Sequence, residues 1–420
     1  MKILWFTNTP CSATEKMGLE SHRGGWLTSL ENAVHNRGGV ELHIAFYTGQ
    51  PMAPFTYNKT NYYPLHRKNT GSKSARYFNK LLNKPANDEQ ELPQLLQVMQ
   101  TVQPDLIHIH GTEENFGLLQ YHTNIPVVIS IQGALLPYSE KYFAGIPLDV
   151  AKRYEGIKEK IKLRSAGRQY KDMRTRAARE QKILRHARHI IGRTDWDRRI
   201  TRVLAPQSAY YKNNEILRDT FYKKAWTKNQ FSETLKIVTI SSDSLYKGFE
   251  TIVNTARLLT EAGGINFEWQ VVGLNAQSII VKTAGQWLKA DYPKLHLHLL
   301  GSKGEKEIAQ LLAEADVYCQ VSHIENSPNS LCEALLMGMP VVASYAGGTA
   351  SLLENGKEGL LVQDGDPYSL AGAITEVAGT FHQSKQYGEQ ARRRSLDRHD
   401  PGNITNDLVS IYHEIIRNHQ

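Results

Sequence analysis

The chain has 420 residues, 40% of them hydrophobic and 22% charged, with a net charge of +8. At roughly 150 residues per domain that length holds about two to three domains, and the composition excludes wholesale disorder. No run reaches the roughly 20 apolar residues of a membrane-spanning helix, and Cys11, Cys319 and Cys332 are too few and too scattered for a disulfide framework or a zinc-ligand spacing.

The opening residues, Met1 to Asn8, lack the long apolar centre of a signal peptide and read as a first strand, which fits a reducing cytoplasm. Further strands are expected at Val40–Tyr47, Asp105–His110, Pro126–Gln132 and His189–Arg193. All are rich in Ile, Val and Leu, as suits strands buried on both faces of a parallel sheet. Helices are expected between them, at Trp26–Asn36 and Leu92–Thr101, and Gly71–Glu91 reads as a loop or a marginal helix. Residues 206–234 read as a linker region containing a charged helix and the polar Thr227-Lys228-Asn229-Gln230.

The second half repeats the rhythm. Strands are expected at Leu235–Ile240, Glu268–Val272, Leu295–Leu300, Asp316–Gln320, Pro340–Ala343 and Gly359–Leu361. Helices are expected at Phe249–Glu261, Lys306–Ala313, Ser330–Met337, Thr349–Leu353 and Tyr368–Ala378. Strand alternating with helix predicts an α/β fold of two doubly wound domains, with ligands beyond the carboxyl ends of the strands. The expected division is 1–205, a linker at 206–234, a second domain at 235–395 and a final helix within 396–420 that carries Ile404, Leu408, Ile411, Tyr412 and Ile415.

Charge is concentrated. Between Ala151 and Val203 stand eighteen Lys/Arg against six Asp/Glu, a local charge of +12, so the remainder carries −4. Tyr170, Met173, Ala177, Leu184, Ala187 and Ile191 follow helical spacing inside that segment. Two readings stand: a packed helix with a solvated charged face, or a surface for an anionic membrane or a lipid-diphosphate acceptor. Nucleic acid fits poorly, because aromatic residues are thinly interleaved and no binding motif appears.

Residues 321–344 carry the most information. A strand should end near Ser322, a loop presents Glu325, and Pro328-Asn329-Ser330 should open a helix with Asn329 or Ser330 as its N-cap. Gly338 should close that helix and Pro340 begin the next strand. A helix start aimed from a strand end is an anion site. Glu325 and Glu333 flank it, where they could accept hydrogen bonds from sugar hydroxyls, although two glutamates eight apart mean little alone and Glu333 could simply favour the helix dipole.

The stretch resembles the donor-site signature of retaining glycosyltransferases of family four, which have the GT-B fold of two Rossmann-like domains facing a central cleft. The signature is Glu, seven residues, Glu-Ala, then Gly-x-Pro-Val-Val-Ala. Here it is Glu325, Glu333-Ala334 and Gly338-Met339-Pro340-Val341-Val342-Ala343. The resemblance is specific over Leu235–Val362 and weaker, though collinear, over the first half. It implies that Glu325 binds the transferred sugar, that Glu333 binds the ribose, and that amides around Ser330 and Leu331 meet the diphosphate. It also implies a final helix that crosses back to the first domain.

Other positions gain meaning beside it. Lys247-Gly248 follows a strand, where a lysine can neutralise the leaving diphosphate and a glycine lets backbone approach. The family usually has an arginine six residues earlier. Ser241 stands there, which makes Arg193 the candidate replacement cation. Gly24-Gly25-Trp26 matches the family's glycine pair beneath the diphosphate, although a plain glycine N-cap would look the same. Where many members have a histidine near the sugar this chain has Gln132, which can donate a hydrogen bond but cannot titrate. His110, at the cleft end of its strand beside His108, is the second choice.

The expected catalytic set is therefore Glu325, Lys247, His110 and Gln132. The expected donor set is Gly24, Gly25, Arg193, Ser241, Lys247, Gly248, Glu325, Asn329, Ser330, Leu331 and Glu333. The resemblance implies transfer of a sugar from a nucleoside diphosphate sugar to a glycan or lipid-linked hydroxyl acceptor with retention. No cofactor and no metal are expected, and the setting is cytoplasmic, at most peripheral at the inner face of a membrane. A sugar-nucleotide 2-epimerase or hydrolase on the same fold, and a non-catalytic sugar-nucleotide-binding partner, are the alternatives. The second is favoured by Ser241 and Gln132.

Overall fold

A computed structural model describes residues 1–18, 25–67, 88–156 and 165–419. Gly24, Lys158, Lys160 and nearly all of Gly71–Glu91 lie outside the described residues. The chain forms two compact units. The first takes Met1–Ser139, Lys171–Ile216 and His399–Gln420, and the second takes Glu140–Tyr170 and Leu217–Arg398. Two assignments differ from the division expected at residue 205. Glu140–Tyr170 clusters with the second unit, and the stretch expected as a linker is shared between the two.

The first unit is built on eight strands: β1 Lys2–Thr7, β2 Glu41–Thr48, β3 Phe55–Tyr57, β4 Thr60–His66, β5 Leu106–His110, β6 Val127–Ser130, β7 His189–Gly192 and β8 Ala209–Lys212. Their order is β3-β4-β2-β1-β5-β6-β7-β8. All neighbours are parallel except β3 and β4. β1 shows why these residues make a central strand. Ile3 and Trp5 enter one core cluster with Trp26, Leu27 and Ile44, while Leu4 and Phe6 enter another with Ile107, Ile109 and Phe116. A run apolar at every position suits a strand covered on both faces.

β3, β4 and β8 were not expected. β4 is polar and aromatic and contains Pro64, which argues against a central strand. Pro64 stands opposite Phe46 of β2, and it is tolerated because β3 pairs only with Thr60–Tyr62, leaving that side of β4 unpaired at the proline. β8, Ala-Tyr-Tyr-Lys, is a short edge. The basic segment forms the helix Ala166–His186, with Met173, Ala177, Ile183 and Leu184 buried. Ile191, which also fitted the helical spacing, belongs to β7.

The helix Pro401–His419 completes the first unit. Its Ile404, Leu408, Ile411, Tyr412 and Ile415 share a cluster with Trp5 and Trp26. Tyr412 also closes a polar chain. Trp5 Nε1 donates to its hydroxyl at 3.0 Å, that hydroxyl meets His108 Nδ1 at 2.6 Å, and His108 Nε2 meets Ser130 Oγ at 2.6 Å. Burial, reinforced by the charge of Arg193, pushes the His108 pKa down to about 3, so the imidazole is neutral. A neutral ring accepts at one nitrogen and donates at the other, so it joins the Tyr412 and Ser130 hydroxyls as an acceptor on one side and a donor on the other.

The second unit has six strands: β9 Leu235–Ile240, β10 Phe267–Val272, β11 Leu297–Gly301, β12 Val317–Gln320, β13 Val341–Tyr345 and β14 Leu360–Gln363. They are parallel and ordered β11-β10-β9-β12-β13-β14. The order reverses between β9 and β12, which is where such sheets bind ligands. The expected helix Thr349–Leu353 is only the short 3-10 turn Thr349–Ser351. Between Leu217 and Arg398 two helices were missed, Ile279–Trp287 and Phe381–Arg398. The latter is mostly polar and buries only small residues. One is Gly388, where a Cβ would lie 2.1 Å from the Gly338 carbonyl oxygen.

The charged helix expected before β9 is only Asp219–Lys223. The stretch around it is docked on the second unit. Leu217, Phe221 and Trp226 join its core, and Trp226 donates to the carbonyls of Met337 at 2.8 Å and Ala315 at 2.7 Å. No helix among the described residues is long and apolar enough to cross a membrane.

Tyr412→Phe should cost about 1–3 kcal/mol in urea unfolding, because it strands the buried Trp5 N–H and His108 Nδ1. Tyr368→Phe, at a site 74% exposed, should change nothing, and equal midpoints for the two variants would refute this account of the closing helix.

Candidate functional site

Two turns meet at the switch point of the second unit. After β9 the chain makes a short 3-10 turn, Leu245–Lys247, then Gly248, then the helix Phe249–Ala262. Gly248 has φ 75°, and a Cβ there would lie 2.1 Å from the Val321 carbonyl oxygen. Only glycine permits that backbone angle and that approach without strain. Its visible task is thus to seat this turn against the end of β12. Beyond β12 the amide of His323 donates to the Tyr246 carbonyl at 2.9 Å, so the two turns are also hydrogen-bonded.

This seating brings Lys247 and Glu325 together, with Nζ 2.5 Å from Oε1. Glu325 is buried and also faces Gln320 Nε2 at 3.5 Å. Burial opposes the Lys247 charge, but Glu325 outweighs it and holds the ammonium above its ordinary pKa. The Glu325 backbone is fixed from the far side. Its carbonyl accepts from the Gly348 amide at 2.8 Å, and a Cβ on Gly347 would sit 2.0 Å from that same oxygen. The glycine pair after β13 was not read from the sequence as part of the site.

The helix Asn329–Met337 starts at the same end of the sheet. Its N-cap is Pro328, with no side-chain cap, which corrects the expectation of Asn329 or Ser330 in that position. Proline satisfies the extended N-cap backbone through its own fixed φ, here −70°. The amides of Asn329 and Ser330, both half-buried, head the helix. The amide of Leu331 donates to the Pro328 carbonyl at 3.0 Å, and its side chain is in the core. Gly338, φ 79°, closes the helix as expected.

Glu333 lies one turn in. Its Oε1 and Oε2 accept from Arg218 Nε and Nη2, both at 2.7 Å. Burial raises the carboxyl pKa, and Arg218 offsets only part of that rise. Arg218 falls in the stretch expected as a linker, and nothing in its local sequence marks it.

The other expected residues are spread more widely. Ser241 follows β9, with its amide bonded to the Val272 carbonyl at 2.9 Å, its hydroxyl buried without a partner, and its carbonyl 2.1 Å from where a Gly273 Cβ would lie. Arg193, Gln132, His110 and Gly25 belong to the first unit. Gly25 opens the helix Gly25–Arg37, and Gln132 follows β6. Arg193 is buried, 3.5 Å from Glu215 and 4.2 Å above the Trp26 ring, so its charge is answered inside that unit. The His110 ring lies tilted, 3.8 Å from that of His108, and edge-on to Trp5, with neither ring nitrogen partnered. Burial, then His108 and Arg193, depress its pKa well below the ordinary value. It is a neutral ring and a weak base.

His323 was missed because its partners are distant in sequence. Its Nε2 meets Glu250 Oε1 at 2.6 Å and its Nδ1 meets Asp364 Oδ2 at 3.5 Å; Lys141 stands 3.6 Å from Asp364. A Cβ on Gly145 would lie 1.9 Å from Glu250 and 2.3 Å from His323, so the loop after Glu140 is seated on this cluster. Burial pushes His323 down, but Glu250 and Asp364 outweigh it and hold its pKa above the ordinary value. The sequence holds two Asp-x-Asp triplets, Asp195-Trp196-Asp197 and Asp364-Gly365-Asp366, and Asp195 stands 3.0 Å from Arg198. Asp197 and Asp366 cap helices, and Asp364 faces His323.

Residues 234–379 match the family model of glycosyl transferases group 1. The amylovoran biosynthesis glycosyltransferase AmsK of Erwinia amylovora is 28% identical over 157 residues, 36% of this chain and 38% of that protein. The match thus spans little more than a third of the relative's length. Among solved structures, a sucrose-phosphate synthase from Thermosynechococcus elongatus superposes with a TM-score of 0.72 at 15% identity over 100% of both chains. Anabaena HepE in complex with UDP and glucose gives 0.64 at 17% identity, over 98% of this chain and 99% of that one. Likeness of that extent shows that the fold is GT-B.

The charged state of His323 gives a pH signature. A raised folded pKa contributes stability that is fully present below the unfolded value of about 6.5 and is lost as pH rises through the folded value. The gap in melting temperature between wild type and His323→Gln should therefore be widest below about pH 6.5 and narrow toward pH 9. A gap independent of pH would mean that the ring is neutral.

Proposed function

With residues 234–379 a glycosyl transferases group 1 domain, we propose that this chain moves a sugar from a nucleoside diphosphate sugar to a hydroxyl acceptor, a glycan or a lipid-linked sugar, with retention at the anomeric carbon. The observation that carries the reading is the meeting of Lys247, Glu325 and the uncapped start of the helix Asn329–Met337 at the switch point of one sheet. As the bond from the anomeric carbon to the diphosphate breaks, charge grows on the diphosphate. The Lys247 ammonium and the amides of Asn329 and Ser330 are the groups suited to meet it.

Donor binding exchanges partners. Lys247 turns from Glu325 to phosphate, and Glu325 accepts hydrogen bonds from the sugar's hydroxyls. The resemblance of the chain to HepE, whose structure holds UDP and glucose, makes a UDP-sugar the first donor to test. Because the Asp-x-Asp triplets serve caps and His323, turnover is expected to survive a chelator.

Membrane attachment is a further part of the proposal. The helix Ala166–His186 exposes Lys171, Arg174, Lys182 and Arg185, a basic face fit for anionic lipid at the cytoplasmic side. Cosedimentation with anionic but not neutral vesicles, fading with salt and with Lys171→Gln and Lys182→Gln, is the expected result. Binding that ignores salt would return this face to solvent.

Donor screening by thermal shift with UDP-, GDP- and ADP-sugars comes first; a ligand at 100 times its Kd adds about 2.7 kcal/mol. Glu325→Gln should then lose most turnover, by about 10- to 100-fold, with nucleotide affinity kept. Lys247→Ala should lower kcat more than donor affinity. Binding without turnover or slow donor hydrolysis in the wild type would favour a non-catalytic partner, the reading that Ser241 and Gln132 support. Wild-type kinetics in both variants would overturn the site.

A further inference from the structure

Glu333 is the one charged side chain in the run Leu331–Met337, every member of which is buried. A carboxylate there loses its hydration, and pairing it with an arginine returns about what was lost. Such a pair gives no net stability over an apolar pair of the same volume. Stability alone therefore does not account for it. The pairing is also specific in form. Arg218 meets both oxygens in a fork at 2.7 Å, the geometry that fixes the carboxylate plane as well as its charge.

Arg218 is itself held. It is the N-cap of the helix Asp219–Lys223, and its guanidinium lies 4.7 Å over the Phe221 ring. The Leu217 amide before it donates to the Tyr222 hydroxyl at 3.1 Å. Arg392 ties this turn to the donor-site helix, donating to the Tyr222 carbonyl at 3.3 Å and to the Leu336 carbonyl at 2.5 Å. The arginine thus reaches Glu333 from a turn that is fastened to the same helix.

We propose that Arg218 is a positioning residue for nucleotide recognition: it holds the Glu333 carboxylate charged and in one plane, with the second lone pair of each oxygen left to accept from the vicinal hydroxyls of the donor's ribose. An ionised carboxylate has about four acceptor positions, and the fork uses one on each oxygen. Burial pushes the Glu333 carboxyl above its ordinary pKa even with Arg218 present. Without the arginine the group protonates and presents a hydrogen where the ribose needs an acceptor. The inference rests on the donor site proposed above, and its test separates the two.

Wild type is first titrated with UDP, GDP and ADP by calorimetry, and the tightest binder is compared with its 2′,3′-dideoxy analogue. Arg218→Met should weaken the ribonucleotide about tenfold or more but the dideoxy analogue less than twofold. Arg218→Lys, which keeps the charge but not the fork, should fall between and guards against a variant that fails to fold. Arg218→Met combined with Glu333→Gln should be no weaker than either alone. Raising the pH should restore ribonucleotide affinity to Arg218→Met, as the buried carboxyl ionises, and leave Arg218→Met/Glu333→Gln unmoved. Equal losses on both ligands, or none, would overturn the role of Arg218 while the donor site stands. A wild type that binds none of the three nucleotides would overturn the donor site, and this inference with it.

Discussion

A parallel strand covered on both faces leaves polar chemistry only one place to go, the ends. In both units the strand interiors are mostly apolar, as in β1, where Ile3, Leu4, Trp5 and Phe6 feed opposite cores in turn. Charged and hydrogen-bonding side chains therefore gather where strands stop and helices begin. In the second unit the reversal of strand order between β9 and β12 opens that edge, because the turns after those two strands run to opposite faces. Lys247, His323 and Glu325 all stand on these turns. The location of the candidate site follows from the sheet before any side chain is considered.

The second rule of the molecule is that its buried charges answer one another. Lys247 meets Glu325, Arg218 meets Glu333, His323 meets Glu250, and Arg193 meets Glu215. An unpaired charge at such depth would cost several kcal/mol. Pairs of this kind keep a polar site assembled while no ligand is bound. They differ in what a ligand can do with them. A single contact such as Lys247 to Glu325 can be exchanged for contacts to phosphate and sugar, whereas the two-point contact from Arg218 leaves the carboxylate where it is.

Legibility in the sequence followed chain distance. The signature from Glu325 to Ala343 was readable because its parts are local: a strand end, a helix of about ten residues, a closing glycine and a proline before the next strand. Even there, cap chemistry misled, since Asn329 and Ser330 are good N-caps by type and Pro328 holds the place. Arg218 lies 115 residues before Glu333, and Glu250 lies 73 before His323, so neither pairing leaves a local trace. β4 was lost to Pro64, and the helix Phe381–Arg398 to a buried face of Ser384, Gly388, Ala391 and Ser395, too small to register as apolar periodicity. The basic segment showed its helix through spacing, yet the assignment of Glu140–Tyr170 to the second unit goes with contacts far apart in the chain, such as Gly145 against Glu250 and His323 and Tyr142 beside Tyr246, which only the fold reveals.

The hydrogen bond from Trp5 to Tyr412 joins residues 407 positions apart within a single unit. Translation at about 5–20 residues per second separates their synthesis by roughly 20–80 s. During that interval the nascent first unit has β1 and its neighbouring strands but lacks the helix that covers Trp5, Trp26 and Ile44. The second unit, apart from Glu140–Tyr170, is contiguous from Leu217 to Arg398 and meets no such delay. The order of maturation on the ribosome is therefore inverted relative to the order of synthesis, with the later-made unit able to close first. In the meantime an apolar surface of the earlier-made unit stays open to chaperones and to aggregation.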